Sequence, residues 1–131
     1  MLWFLLRLIG YAWHMARVRI KRVYLPAEKE DGTRILVDRL WPRGLTKEKA
    51  RIDLWLKEIA PSTDLREWFG HEPAKWSEFQ TRYLAELHKN KEQLIRLREE
   101  AAKGPATLLF AAKDEQHNEA VLLQRLLTSA P

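Results

Sequence analysis

The chain has 131 residues, 46% hydrophobic and 31% charged, with 23 Lys and Arg against 18 Asp and Glu for a formal net charge of +5. That length holds one average domain, and the composition suits a folded chain with an apolar core, not a disordered one. There is no cysteine, which excludes disulfides, thiolate nucleophiles, iron–sulfur clusters and cysteine-ligated zinc, while the mild positive charge favours anionic partners from phosphate esters to nucleic acid.

Residues 1–14, MLWFLLRLIGYAWH, are apolar and aromatic, with Arg7 and Gly10 inside the run. The run is shorter than the roughly 20 residues that cross a bilayer. Trp13 and His14 also stand where a secretory signal places small residues. The segment reads as an extension outside the functional domain, which takes residues 15–131. The alternative is an interfacial membrane anchor, with Trp3, Phe4, Tyr11 and Trp13 at headgroup level.

Arg17, Arg19, Lys21 and Arg22 then form a basic stretch with no acid until Glu28, and Val18, Ile20, Val23 and Tyr24 supply the alternation of a half-buried strand. Pro26 ends it, and residues 28–33 make a polar turn around Asp31-Gly32. Residues 34–41, RILVDRLW, read as a second strand whose apolar centre expects cover on both faces. Pro42-Arg43-Gly44 breaks it, and Thr46 caps a short helical turn over 47–51. Residues 52–59 fit a strand through Ile52, Leu54 and Leu56, or a helix through Ile52, Trp55, Leu56 and Ile59; the extended reading is slightly favoured.

Ser62 as N-cap and Gly70 as stop bound a short helix over Thr63–Phe69, with Asp64 suited to its positive end. Pro73 opens the next helix, whose Trp76, Phe79, Tyr83, Leu84 and Leu87 form a core-facing stripe. Leu94, Leu97 and Ala101 mark another, ended by Gly104-Pro105. Residues 106–112, ATLLFAA, read as a buried strand, and Asp114 as the cap of a last helix carrying Ala120, Val121, Leu123 and Leu127. Strands separated by helices predict an α/β fold: a small, mostly parallel sheet of three to four strands flanked by four to five helices.

In open sheets of this class, ligands collect beyond the carboxyl ends of the strands. The second strand runs into Asp38, Arg39 and Arg43, the last into Lys113, Asp114, His117 and Asn118. If these strands are parallel neighbours, both ends open onto one crevice. Arg39 and Arg43 offer planar forks for phosphate or carboxylate, and Lys113 a point charge. The last helix offers free N–H groups at its start, and Asn118 a donor and an acceptor. Arg66 and His71 join them if their segment folds over the crevice. His117 and His71 are the candidate catalytic residues, as proton carriers near neutral pH.

Other chemistry finds less support. No HExxH or carboxylate-rich loop marks a metal site. No glycine-rich phosphate loop or dinucleotide fingerprint marks a cofactor, so none is expected. Ser62, Ser77 and Ser129 lie outside any G-x-S-x-G setting, and nothing marks a glycosidase pair of carboxylates.

Three stretches resemble the YeaO-like family, small bacterial proteins of a domain of unknown function: ILVDRLWPRGLTKE (35–48), WLKEIAPSTDLREWFGH (55–71) and LLFAAKDEQHNEAVLL (108–123). The resemblance spans about residues 17–127, and three long motifs in the right order make it specific. It implies a small α/β fold and a cytosolic setting, with no assigned activity. It also implies that the residues to watch include Arg39, Pro42, Arg43, Gly44, Trp55, Lys57, Pro61, Arg66, Phe69, His71, Lys113, His117 and Asn118.

The leading expectation is a cytoplasmic protein that binds a small anionic ligand in this crevice, with or without catalysis. One alternative is a nucleic-acid-binding module led by the basic first strand. Another is a protein-interaction domain anchored by Trp41, Trp55 or Trp68.

Overall fold

The computed structural model describes residues 18–129, so the extension expected at 1–14 lies outside the described residues. The four strands are β1 (Val18–Arg22), β2 (Thr33–Leu36), β3 (Leu54–Trp55) and β4 (Ala106–Phe110). They form one sheet in the order β1-β4-β2-β3, and every pairing is parallel. All four carboxyl ends therefore meet at one edge. The ladder continues one step past the strand ends, where the Val23 N–H donates to the Phe110 carbonyl (2.8 Å) and the Val37 N–H to the Leu109 carbonyl (3.1 Å).

Five α-helices complete the described fold: α1 (Lys47–Ala50), α2 (Thr63–Phe69), α3 (Trp76–Lys89), α4 (Lys91–Ala102) and α5 (Glu119–Thr128). The architecture is the expected small α/β sheet. Every side chain of β4 is buried, because alternate residues serve two cores. Leu108 and Phe110 join Ile35 and Val37 beneath α2–α5, with Phe79, Tyr83, Leu97 and Leu123 among the enclosing side chains. Leu109 joins Leu36 and Val23 on the other face, under Trp41, Leu45 and Ile52. Both faces are covered, one by helices and the other by the loop that follows β2.

Several boundaries are set by local chemistry. The Ser62 hydroxyl accepts from the Leu65 N–H (3.1 Å), and Gly70 ends α2 in the left-handed region at φ 54°. Ser62 also donates to the Glu86 carboxylate (2.5 Å), which accepts the Ser62 N–H as well (2.8 Å). Ser62→Ala therefore loses a cap and a tie to α3, and should lower unfolding free energy by about 0.5–2 kcal/mol in urea titration. The Thr46 hydroxyl caps α1 through the Lys49 N–H (3.2 Å).

Other boundaries depart from the sequence reading. β2 stops at Leu36, not at residue 41, because the Asp38 carboxylate takes the Ala111 N–H (2.8 Å) and turns the chain out of the ladder. The extended reading of 52–59 holds for Leu54–Trp55 alone; Lys57–Ile59 is a 3-10 turn. Pro73 opens a 3-10 turn, Pro73–Lys75, that leads into α3. The last helix is capped by Asn118, not Asp114: the Asn118 side-chain carbonyl accepts from the N–H groups of Ala120 and Val121 (2.9 and 3.3 Å). Asp114 instead closes the turn before it, accepting from the N–H groups of Gln116 and His117 (2.9 and 3.1 Å).

The amino edge of the sheet is held by a buried ion cluster. Asp31 and Arg34 are 3% and 4% exposed and pair at 2.5 Å, with Lys21 at 3.2 Å from the same carboxylate. Beside them, a Cβ on Gly32 would lie 2.1 Å from the Pro105 carbonyl oxygen, so only glycine lets β2 start against this segment.

Candidate functional site

At the carboxyl edge lies a cavity of about 600 Å3, walled by the loops after β2 and β4, by α2 and by the start of α5. All seven residues expected from sequence line it: Arg39, Arg43, Arg66, His71, Lys113, His117 and Asn118. The parallel pairing of β2 with β4 delivers the first and last groups to one place, and α2 folds over to add Arg66, with His71 just beyond its end.

Their states differ. The Arg39 guanidinium is tied to the carbonyls of Ala60 (3.1 Å) and Pro61 (3.3 Å) and lies 3.8 Å from the Glu58 carboxylate. It braces the wall as much as it faces the cavity. Among the described residues, the side chains of Arg43, Arg66 and Lys113 make no hydrogen bond or ion pair within the fold. Asn118 is buried, and its amide is committed to the backbone: the carbonyl caps α5 and the NH2 donates to the Asp114 carbonyl (2.9 Å). Its role is to build the wall, not to offer the donor and acceptor expected of it.

His117 stands on the turn before α5, not within the first turn of the helix. Its Nδ1 lies 2.8 Å from Asp114 Oδ2, and its ring meets Trp76 edge-on with centroids 5.4 Å apart. The hydrogen bond from His117, with two backbone N–H groups, holds the Asp114 carboxyl below its usual range against a small desolvation cost. An ionised Asp114 fixes the tautomer with the proton on Nδ1 and leaves Nε2 as the imidazole's remaining polar atom. His71 follows Gly70 in the left-handed region at φ 58°, and its ring packs near Phe69 with centroids 6.3 Å apart.

Two of the N–H groups at the start of α5, expected to receive an anion, those of Ala120 and Val121, are taken by Asn118, and Glu119 occupies the first helical position. Glu119 lines the cavity together with Asp38. Desolvation by the surrounding protein, then the charge of Asp38 and a hydrogen bond to it, push the Glu119 carboxyl well above the usual range. Beside Asp38, Glu119 therefore holds its proton to a higher pH than an ordinary glutamate does. Sequence reasoning missed Glu119, which reads locally as an ordinary first-turn acid.

A family model described as "Inactive DUF488-N3 subclade" matches residues 17–130. The chain is 48% identical over 112 residues to "Uncharacterized protein YeaO" of Escherichia coli (strain K12), which covers 86% of this chain and 97% of that protein. The chain belongs to the YeaO-like DUF488 family. It is also 40% identical over 111 residues to the mycobacterial proteins Mb3100c of Mycobacterium bovis and Rv3073c of Mycobacterium tuberculosis, over 85% of this chain and 93% of each. No solved structure gives a significant match.

In this YeaO-like chain, the basic first strand is largely spent on the fold. Arg19 donates to the Glu30 carbonyl, Lys21 pairs with Glu28 (3.1 Å) and Asp31, and Arg22 holds the carbonyls of Ala112 (2.9 Å) and Ala111 (3.3 Å). Arg17 lies outside the described residues. The three tryptophans are likewise engaged: Trp41 donates to the Leu45 carbonyl (2.7 Å), Trp55 to the Asp38 carbonyl (2.7 Å), and Trp68 lies under Arg82 at 4.1 Å. No helix among the described residues is long and apolar enough to cross a membrane.

Proposed function

We propose that this protein binds a small molecule through a phosphate or carboxylate group in the carboxyl-edge crevice. The observation that carries the reading is the group of cationic side chains, Arg43, Arg66 and Lys113, that line one cavity without partners among the described residues. Arginine forks and a lysine facing a concave wall are the donor set that an oxyanion requires. The upward shift of the Glu119 carboxyl supports it, since a proton kept there lessens the negative charge in the same cavity.

The description of the subclade as inactive favours binding over turnover. In that reading His117 is a ligand-facing hydrogen-bonding group, oriented by Asp114, and His71 lines the same cavity. Were the crevice to turn a ligand over, His117 is the group best held to carry the proton, with His71 the second. A cysteine-free chain also fits a reducing, cytoplasmic setting.

Calorimetric titration with inorganic phosphate and with acetate tests the proposal. A hydrogen bond to a charged group contributes about 1.5–3 kcal/mol, so Arg43→Ala, a change at an exposed residue, should weaken phosphate binding about tenfold or more. Unchanged affinity in Arg43→Ala and in Lys113→Ala would remove the crevice from consideration.

A further inference from the structure

We infer that the ligand of this crevice carries its anionic group on a planar aromatic body, seated against the apolar rim formed by the Tyr24 and Trp41 rings with Leu40 beside them. The inference rests on the anion-binding reading above and names the class of molecule that site takes. All three residues line the same cavity as Arg43 and Lys113. Tyr24 and Leu40 are 40% and 58% exposed, and Trp55, which packs against Trp41, is 37% exposed. Large apolar side chains left in contact with water around a cavity are where an apolar ligand surface is gained.

The rim is also held rigid, which solvent-exposed aromatics ordinarily are not. The Tyr24 hydroxyl donates to the Arg43 carbonyl (2.9 Å), so the ring is fixed to the loop that carries a cation. Its face is covered by the Arg22 guanidinium at 5.3 Å, itself bonded to the Ala111 and Ala112 carbonyls at the end of β4. The Trp41 indole is pinned through its N–H to the Leu45 carbonyl and met edge-on by Trp55, with centroids 5.6 Å apart. Trp55 in turn is pinned to the Asp38 carbonyl. The aromatic polar ends thus bond to the loop that lines the crevice. A platform fixed in advance loses little rotamer entropy when a flat ring packs on it, and offset or edge-on packing on an aromatic ring suits another ring better than a flexible chain. The cavity volume of about 600 Å3 has room for a ring system beside the anionic group.

Phenyl phosphate and inorganic phosphate are the probes, titrated by calorimetry and by tryptophan fluorescence. The expected result is that phenyl phosphate binds at least about tenfold tighter than inorganic phosphate and perturbs the indole emission. Leu40→Ser, at an exposed residue that places no demand on the core, should narrow that gap, and Trp41→Phe should narrow it further. Equal affinities for the two probes would overturn the aromatic class while leaving the anion site standing. A gap that persists undiminished in both variants would place the ring elsewhere and overturn the inference as well. Failure of phenyl phosphate alone would overturn the aromatic class, and failure of both probes to bind would overturn the reading beneath it as well.

Discussion

Arg34→Ala should destabilise the protein by about 3–5 kcal/mol, the range for removing one partner of a buried ion pair. The Arg34 guanidinium bonds the Asp31 carboxylate (2.5 Å) and the carbonyls of Arg51 (3.0 Å) and Ala50 (2.9 Å). Truncation leaves a carboxylate and two carbonyls short of donors, at a place where water has little access. Burial works to raise the Asp31 carboxyl, but the Glu28 N–H, Lys21 and Arg34 outweigh it and hold the group below its usual range. A depressed value in the folded state adds stability that is present above the unfolded value and is lost as pH falls through the folded one. The parent should therefore lose this contribution on acidification below about pH 4, and Arg34→Ala should show a shallower loss there. Urea denaturation between pH 3 and pH 7 measures both effects, and a change under about 1 kcal/mol at pH 7 would mean that the cluster behaves as a surface pair.

Glu119→Gln should act in the opposite direction, stabilising the fold increasingly as pH rises. The folded chain keeps a proton on Glu119 that the unfolded chain releases above about pH 4.3. Wherever the native state binds the extra proton, stability falls with rising pH, by about 1.4 kcal/mol for each pH unit until the folded group itself ionises. Glutamine copies the shape and donor capacity of the protonated acid, keeps a hydrogen bond to Asp38, and does not titrate. The two proteins should have similar stability near pH 4 and diverge in favour of the variant toward pH 7. Parallel stability curves would show that Glu119 titrates as an ordinary glutamate.

What could be read from the sequence was what short-range chemistry decides. Ser62 and Gly70 bound α2 because a cap and a left-handed stop act within one turn. The convergence of Arg43, Lys113 and His117 followed from one topological rule, since parallel neighbours bring their carboxyl ends together. Long-range contacts set the rest. β2 ends early because Asp38 meets Ala111 across 73 positions of chain, and nothing near residue 38 announces that partner. Asp114 and Asn118 are both good caps, and it is the tertiary fold that gives α5 to Asn118. The first strand looked free of acids because Glu28 and Asp31 return to it through a turn. Glu119 gains its raised proton affinity from burial by the surrounding protein and then from meeting Asp38, neither of which its neighbours in sequence announce.

The crevice is the centre of the account, and a phosphate titration followed by two-dimensional NMR tests it most directly. Saturable amide shifts should appear together in residues 38–44 and 111–119, two stretches far apart in sequence, with the Arg43 and Arg66 side-chain signals moving at the same concentration. Shifts confined to the first strand or to the surface of α3 and α4, or a response that never saturates, would contradict an anion site at the carboxyl edge of the sheet.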